Sequence, residues 1–294
     1  MDLPHSPAEL SARLDAADYL ADDGLATAAF LALRMGRPLF VEGEAGVGKT
    51  SLAQALADVL GAPLIRLQCY EGLDAAQALY DWDFPRQLLH LRAAEAAGVT
   101  DAEQLEHELY DRRFLVARPL LQAVEASTVE RPAVLLVDEV DRSDDEFEAF
   151  LLEMLSEFAV SIPEIGTIRA GRPPVVVVTS NRTRDVHDAL KRRCLYHWLD
   201  HPTLEREVAV IHRRVPHAAA RLVTDVAGAA QQLRAMDLVK PPGLAESIDW
   251  TAALATLGAR ELDRDLTART LGAAVKYRED QDRVLAAVAD GGLT

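Results

Sequence analysis

Short apolar runs alternate with segments of helical period over the first 200 residues, and then the alternation stops. Five runs predict buried strands: Pro38–Val41, Pro63–Leu67, Ala133–Val137, Pro174–Val178 and Leu195–Leu199. Each is short, mostly β-branched or Leu-rich, and bounded by Gly, Pro or a charged turn, as parallel strands covered on both faces should be. Helix-like segments lie between them, at Thr50–Leu60, Leu120–Val129, Asp144–Glu157 and Val186–Arg193. Strand alternating with helix predicts an α/β fold, a five-stranded parallel sheet with right-handed crossovers. Ser6-Pro7-Ala8-Glu9 adds a helix start ahead of the first strand, with Ser as cap and Pro in the first turn.

Two stretches break the rhythm. The connection from Gln68 to Pro132 is far longer than one crossover needs. It carries an aromatic-acidic cluster at Tyr80–Pro85 and a charged helical stretch over Asp101–Arg113, so it predicts an inserted helical element. Val160-Ser161-Ile162 and Thr167-Ile168-Arg169 flank Pro163–Gly166 and predict a hairpin. After His201-Pro202 no strand signal remains, and breaks fall at Val215-Pro216, Lys240-Pro241-Pro242-Gly243, Gly258 and Arg278–Asp280. The expected division is an α/β domain over 1–202 and a small all-helical domain over 203–294.

Charge narrows the function. The chain has 31 Lys+Arg against 47 Asp+Glu, a formal net charge of −16, which argues against generic nucleic-acid binding. The acidity belongs to the α/β part: residues 1–200 hold 19 basic and 34 acidic side chains, whereas 201–294 hold 12 and 13. No run approaches 18 apolar residues and the start lacks a cationic and apolar leader, so no integral membrane segment and a cytoplasmic location are expected. Cys69 and Cys194 are too few and too far apart for a zinc site or a disulfide framework.

The candidate chemistry begins at Gly43-Glu44-Ala45-Gly46-Val47-Gly48-Lys49-Thr50, followed by Ser51. This satisfies G-x-x-x-x-G-K-[ST] between a strand and a helix, the context the motif demands. Glycines let backbone N–H groups wrap phosphates, and the helix start adds its positive dipole end. Lys49 is expected at the β- and γ-phosphates and the Thr50 hydroxyl on Mg²⁺, so ATP and Mg²⁺ are the expected cofactors. Val134-Leu135-Leu136-Val137 runs into Asp138-Glu139. Asp138 is placed to hold Mg²⁺ and Glu139 to polarise the attacking water, against the plainer reading of an acidic helix cap. The fourth strand ends in Thr179-Ser180-Asn181-Arg182, where Asn181 either senses the γ-phosphate or belongs to a turn. Lys191-Arg192-Arg193 ends a predicted helix. These cations either offset the helix dipole or supply an arginine finger to a neighbouring subunit, with Arg193 favoured over Arg192 as the last cation before the strand.

In this order, the elements resemble the AAA+ ATPases over essentially the whole chain. The two insertions resemble the subgroup with a helix-2 insert and a pre-sensor hairpin, and within it the MoxR branch. Ile65-Arg66-Leu67-Gln68-Cys69-Tyr70-Glu71-Gly72-Leu73-Asp74 and Ala78-Leu79-Tyr80-Asp81-Trp82 resemble the CoxD-like subgroup. That resemblance implies a hexameric ring that remodels or matures a client metalloenzyme, such as a molybdenum hydroxylase of the carbon monoxide dehydrogenase type. It also implies a partner carrying a von Willebrand factor A domain. The alternative is a nucleotide-gated scaffold that binds ATP and partner proteins without needing turnover. The sequence departs from the family at the second sensor, since Lys240–Ser247 holds no Arg. Trp82 and its neighbours in the insert read equally as a client surface or as packing against the body.

Overall fold

A computed structural model describes residues 3–98 and 101–291. Nine strands are present among them: β1 Leu39–Gly43, β2 Leu64–Gln68, β3 Tyr80–Trp82, β4 Leu115–Ala117, β5 Val134–Asp138, β6 Ala159–Ile162, β7 Gly166–Arg169, β8 Val175–Ser180 and β9 Leu195–Leu199. Five of them form one parallel sheet in the order β2-β5-β8-β1-β9. All five residues of β5 are buried, as a strand needs when it has neighbours on both sides and helices on both faces. Its register sets Leu135 beside both Ile65 and Val176, and Asp138 beside Gln68.

The sheet strands fall where the apolar runs predict them, with the prolines left just outside. Pro38 and Pro63 precede β1 and β2 and offer only carbonyls, which accept from the Leu195 and Val134 N–H groups at 2.8 and 2.9 Å. The helix expected over Leu120–Val129 is observed as Pro119–Ala126. It stops because the Ser127 hydroxyl accepts from the Ala133 N–H and Thr128 closes a turn onto Arg131. The helix expected over Val186–Arg193 begins only at Asp188, because the buried Glu148 carboxylate accepts the His187 N–H at 2.8 Å and His187 caps the helix.

The insertion holds helices Ala75–Leu79, Phe84–Ala96 and Ala102–Leu109, together with β3 and β4. The Tyr80–Pro85 cluster is therefore a strand running into a helix start. β3 pairs antiparallel with β4, Trp82 opposite Leu115. Trp82 is half-buried, its ring edge-on to Tyr80 and Tyr110, and it packs on a cluster of Leu115, Leu121, Val124, Val160 and Ile162. β6 and β7 form the expected hairpin, Ser161 opposite Thr167. Residues 99–100 of the insertion and 292–294 of the helical region lie outside the described residues.

Contacts divide the chain into two compact units. The first comprises Met1–Leu10, Asp23–Val41 and Ala53–His197. It is built on an apolar core that includes Phe40, Leu135, Val137, Phe147, Leu151 and Val178. The second comprises Ser11–Asp22, Glu42–Leu52 and Trp198–Thr294. Its core gathers Ile211, Leu222, Val226, Leu233, Trp250, Leu254 and Val284 from the C-terminal helices, and Trp250 donates its ring N–H to the Thr270 hydroxyl at 2.7 Å. No strand occurs after Leu199 among the described residues. The break expected at Arg278–Asp280 is instead the opening of a helix, Arg278–Ala289.

Candidate functional site

The loop after β1 is shaped by its glycines. A Cβ on Gly43 would lie 2.3 Å from the Leu199 carbonyl oxygen, so only glycine admits that approach. Gly46 and Gly48 have φ of 77° and 103°, the left-handed region that costs a larger residue strain. These two reversals lead into the helix Lys49–Leu60, whose first N–H groups lack partners within the helix. Lys49 is buried, and its Nζ donates to the Gly43 and Glu44 carbonyls at 2.8 and 2.6 Å. Thr50 and Ser51 are exposed at the helix start. Gly43 through Ser51 thus turn on two left-handed glycines, and the Lys49 ammonium folds back onto the loop's own carbonyls.

In the same unit, the start of helix Leu244–Thr256 closes on this loop. The Ala245 N–H donates to the Gly46 carbonyl at 3.2 Å, and a Cβ on Gly46 would stand 2.9 Å from Glu246 Oε2. The preceding strap is held at both ends: Asp280, fully buried, accepts from the Val239 and Lys240 N–H groups, and Arg234 donates to the Pro242 carbonyl at 2.7 Å. Arg234 is itself paired in a bidentate fork with the buried Glu207, at 2.6 and 2.7 Å. A cavity of about 400 Å³ lies here, lined by Glu44, Ala45, His201, Arg234, Lys240 and Glu246. Burial, and then the nearby Arg234 charge, hold the His201 imidazole below its ordinary pKa, so it stays neutral at pH 7.

The tips of β5 and β8 bring Asp138, Glu139 and Asn181 together. The Thr179 hydroxyl, buried, donates to Asp138 Oδ1 at 2.5 Å and accepts the Glu139 N–H at 2.9 Å. Glu139 sits at φ 56°, ψ 51°, an uncommon left-handed conformation for a side chain of its size and one that clusters at functional sites. Its carboxylate accepts from Asn181 Nδ2 at 3.1 Å, Gln68 Nε2 at 3.0 Å and Arg142 Nη1 at 3.3 Å. Asp141, buried, accepts from the Asn181 and Thr183 N–H groups and the Thr183 hydroxyl, which fixes the backbone that presents Asn181. A carboxylate aimed by an amide and held off the helix axis suits proton acceptance better than helix capping. No side-chain cap bond is made by Glu139.

Arg192 and Arg193 stand outside that network, at the end of helix Asp188–Arg193. Arg37 caps this end, its guanidinium donating to the Arg192, Arg193 and Cys194 carbonyls at 2.7, 3.1 and 3.2 Å. The backbone terminus is therefore already satisfied by another cation. Arg193 donates to the Leu152 carbonyl at 3.2 Å, whereas Arg192 is 83% exposed beside Asp188 at 3.9 Å. Arg184, half-buried, pairs with the buried Glu148 and ties the segment before this helix to helix Asp145–Glu157.

Sequence reasoning missed Arg66, Gln68, Thr179, Asp141 and the Arg184–Glu148 pair. Arg66 reads as a strand residue and Gln68 as the first residue of the long connection, and their meeting with Asp138 depends on the β2–β5 register. Thr179 and Asp141 sit within two or three residues of predicted site residues, which is the one signal that marks them. The two cysteines are buried core thiols, pushed up to about 12 mainly by desolvation. No group of acidic, His and Cys side chains forms a preassembled metal cluster among the described residues. Among them no helix is long and apolar enough to cross a membrane.

A glycine-rich loop with a buried lysine, and an acid pair fixed at the ends of a parallel sheet, define a nucleoside triphosphate-binding fold of the phosphate-loop class. Residues 38–194 match the family described as the AAA domain, dynein-related subfamily, and this chain belongs to that family. No curated protein matches it in sequence. Solved structures of similar fold include RuvB proteins of Thermotoga maritima. One point mutant gives a TM-score of 0.51 at 16% identity over 92% of this chain and 73% of that one. A second point mutant gives 0.49 at 16% identity over 92% and 72%. The RuvB described as a Holliday junction branch migration motor gives 0.48 at 15% identity over 92% and 72%. The first of these supports the fold and nothing finer.

Proposed function

We propose that the chain is an ATPase that hydrolyses ATP with Mg²⁺ to drive work on a client protein. The observation that carries this reading is the aim of Glu139, fixed between Asn181 and Gln68 in a strained backbone conformation. A protein that only bound nucleotide would have little need of so positioned a proton acceptor. When bound, ATP supplies the scissile anhydride and Mg²⁺ the countercharge. The donors fit chemically, since the Asp138 carboxylate and the Thr50 hydroxyl are the hard oxygens that Mg²⁺ takes. On this reading Gly43 through Ser51 hold the phosphates by their N–H groups, and Lys49 exchanges loop carbonyls for phosphate oxygens. Glu139 accepts the proton of the attacking water, and Asn181 holds that carboxylate in line.

The finer reading rests on the resemblance of Ile65–Asp74 and Ala78–Trp82 to the MoxR family and its CoxD-like subgroup. On it the protein forms a hexameric ring in the cytoplasm and works with a von Willebrand factor A domain protein. Its client is a metalloenzyme under maturation, such as a molybdenum hydroxylase. Residues 203–294 serve as the lid of the 1–202 motor. Arg192 or Arg193 completes a neighbouring subunit's site. Exposure favours Arg192, because Arg193 already holds the Leu152 carbonyl.

The test compares ATP binding and steady-state turnover of the wild type with Glu139→Gln and Arg192→Ala, over a range of protein concentrations. Retained binding with lost turnover in both variants, and specific activity that rises with concentration in the wild type, is the expected result. Wild-type turnover undiminished in a dilute monomer would overturn the ring mechanism, and an absence of ATP binding would overturn the whole reading.

A further inference from the structure

The end of β2 carries a cation that no part of the hydrolysis reading uses. Arg66 and Gln68 are two residues apart on one strand, so both side chains leave the same face. Arg66 Nη2 lies 2.5 Å from Asp138 Oδ2 and 2.5 Å from Gln68 Oε1. Gln68 turns its amide nitrogen to Glu139 Oε2 at 3.0 Å. One guanidinium nitrogen therefore joins Asp138, Gln68 and, through Gln68, Glu139.

Asp138 is almost wholly buried, its side chain 3% exposed, while Arg66 is 53% exposed. A carboxylate taken out of water needs a countercharge and hydrogen bonds. Thr179 serves Oδ1 and Arg66 serves Oδ2. A divalent cation held by Asp138 would meet a carboxylate already paired with a side-chain cation.

We propose that Arg66 is the resident counter-cation of Asp138 and that it sets the Mg²⁺ threshold for nucleotide binding. This rests on the reading of Asp138 as a metal-holding carboxylate. In the metal-free protein Arg66 pairs with Asp138 Oδ2 and shares in neutralising that buried carboxylate. Its exposure gives it room to swing into solvent when a stronger cation arrives. Gln68 fixes the guanidinium by accepting from the same nitrogen. Arg66 is thus a positioning residue, and it works against metal entry at low Mg²⁺.

The measurement is the Mg²⁺ concentration that half-saturates binding of a fluorescent ATP analogue at fixed nucleotide, followed by anisotropy on the full chain. Arg66→Gln is expected to lower that midpoint by about two- to fivefold, the range of a partly exposed ion pair. Arg66→Lys, which keeps the charge, is expected to stay near the wild type. In an Asp138→Asn background, where the carboxylate is gone, Arg66→Gln is expected to move the midpoint no further. A midpoint in Arg66→Gln equal to or above that of the wild type overturns the proposal, as does an undiminished shift in the Asp138→Asn background. If Arg66→Gln unfolds, as judged by melting, Arg66→Met, which also removes the charge, is measured in its place, alone and in the Asp138→Asn background, with the same two outcomes deciding. A wild-type chain that binds no nucleotide at any Mg²⁺ concentration overturns the hydrolysis reading itself, which separates the two failures.

Discussion

The tips of β5 and β8 and the insertion between residues 75 and 117 belong to one unit yet are held by opposite means. At the strand tips the side chains are charged or polar, and each has named partners: Asp138 with Thr179 and Arg66, Glu139 with Asn181 and Gln68, Asp141 with Thr183. The insertion is seated by an apolar seam, with Trp82 against Leu115, Leu121 and Val160, and leaves Phe84, Leu88 and Leu89 more than half exposed on its second helix. The strand tips are fixed by directional bonds that tolerate little movement, and the insert by area, which tolerates more. A change at the tips should therefore alter chemistry before stability, and a change in the seam the reverse.

The largest break in that contrast is Glu139→Gln. Gln keeps the shape and can still meet Asn181, so ATP binding and melting should persist while turnover falls by about 10³-fold, as for loss of a general base. A Glu139→Gln form that melts early and hydrolyses normally would invert the comparison. Next is Glu148→Ala, just behind the tips. Glu148 is fully buried and accepts from Arg184 and the His187 N–H, so its loss removes the acceptor of that amide and leaves Arg184 to the Ser143 and Asp185 carbonyls. The expected cost is about 3–5 kcal/mol in denaturant melts.

These supports also mark what could be read without coordinates. The phosphate loop, Asp138-Glu139 and Asn181 were legible because each is a local pattern tied to a strand end. The five sheet strands were legible as short apolar runs, continuous where burial takes both faces as in β1, β5 and β8, and the 159–169 hairpin as two short runs around a Gly-ended turn. What stayed hidden is what long-range pairing decides. Arg66 reads as an ordinary polar residue until the β2–β5 register carries it to Asp138, 72 residues away. β3 and β4 are three residues each, too short for any period, and exist because the 32 residues between them, 83–114, bring them back to pair. Asp280 and Glu207 are charged residues that a sequence places on the surface, yet both are fully buried under backbone N–H groups or a guanidinium.

Smaller effects sharpen the seam side. Trp82→Ala should cost about 2–3 kcal/mol, below the full value for a core Trp because the ring is half-buried, and should leave turnover per folded molecule unchanged. A turnover loss larger than the stability loss would make the insert part of the chemistry or of the client surface. Alkaline pH probes the body beneath both regions. Cys69 and Cys194 ionise near 12 when folded and near 9 when exposed. The unfolded chain therefore releases protons first. Stability from this source is complete below pH 9 and is lost as pH rises towards 12, by about 1 kcal/mol per thiol at pH 10. Melting of a Cys69→Ala, Cys194→Ala chain at pH 8 and pH 10 checks this, since the double variant should lose the extra alkaline sensitivity.

The smallest expected effect lies two residues beyond Trp82. Phe84 opens the helix Phe84–Ala96 and is 66% exposed, although Asp83 caps that helix and Pro85 stiffens its first turn. The cap and the proline leave the helix start formed whether or not the ring is there. Phe84→Ser should then change stability by less than about 0.5 kcal/mol and leave ATP binding and turnover as they were. Measured beside Trp82→Ala in the same melts, it separates the packed side of the insert from the open one. Equal losses for the two variants would mean that the exposed helix face is already covered, by a second copy of the chain or by an unassigned segment, and the apolar seam could not then be what alone seats the insertion. Repeating the melt across a hundredfold range of protein concentration distinguishes those covers, because only the second copy makes the loss depend on concentration.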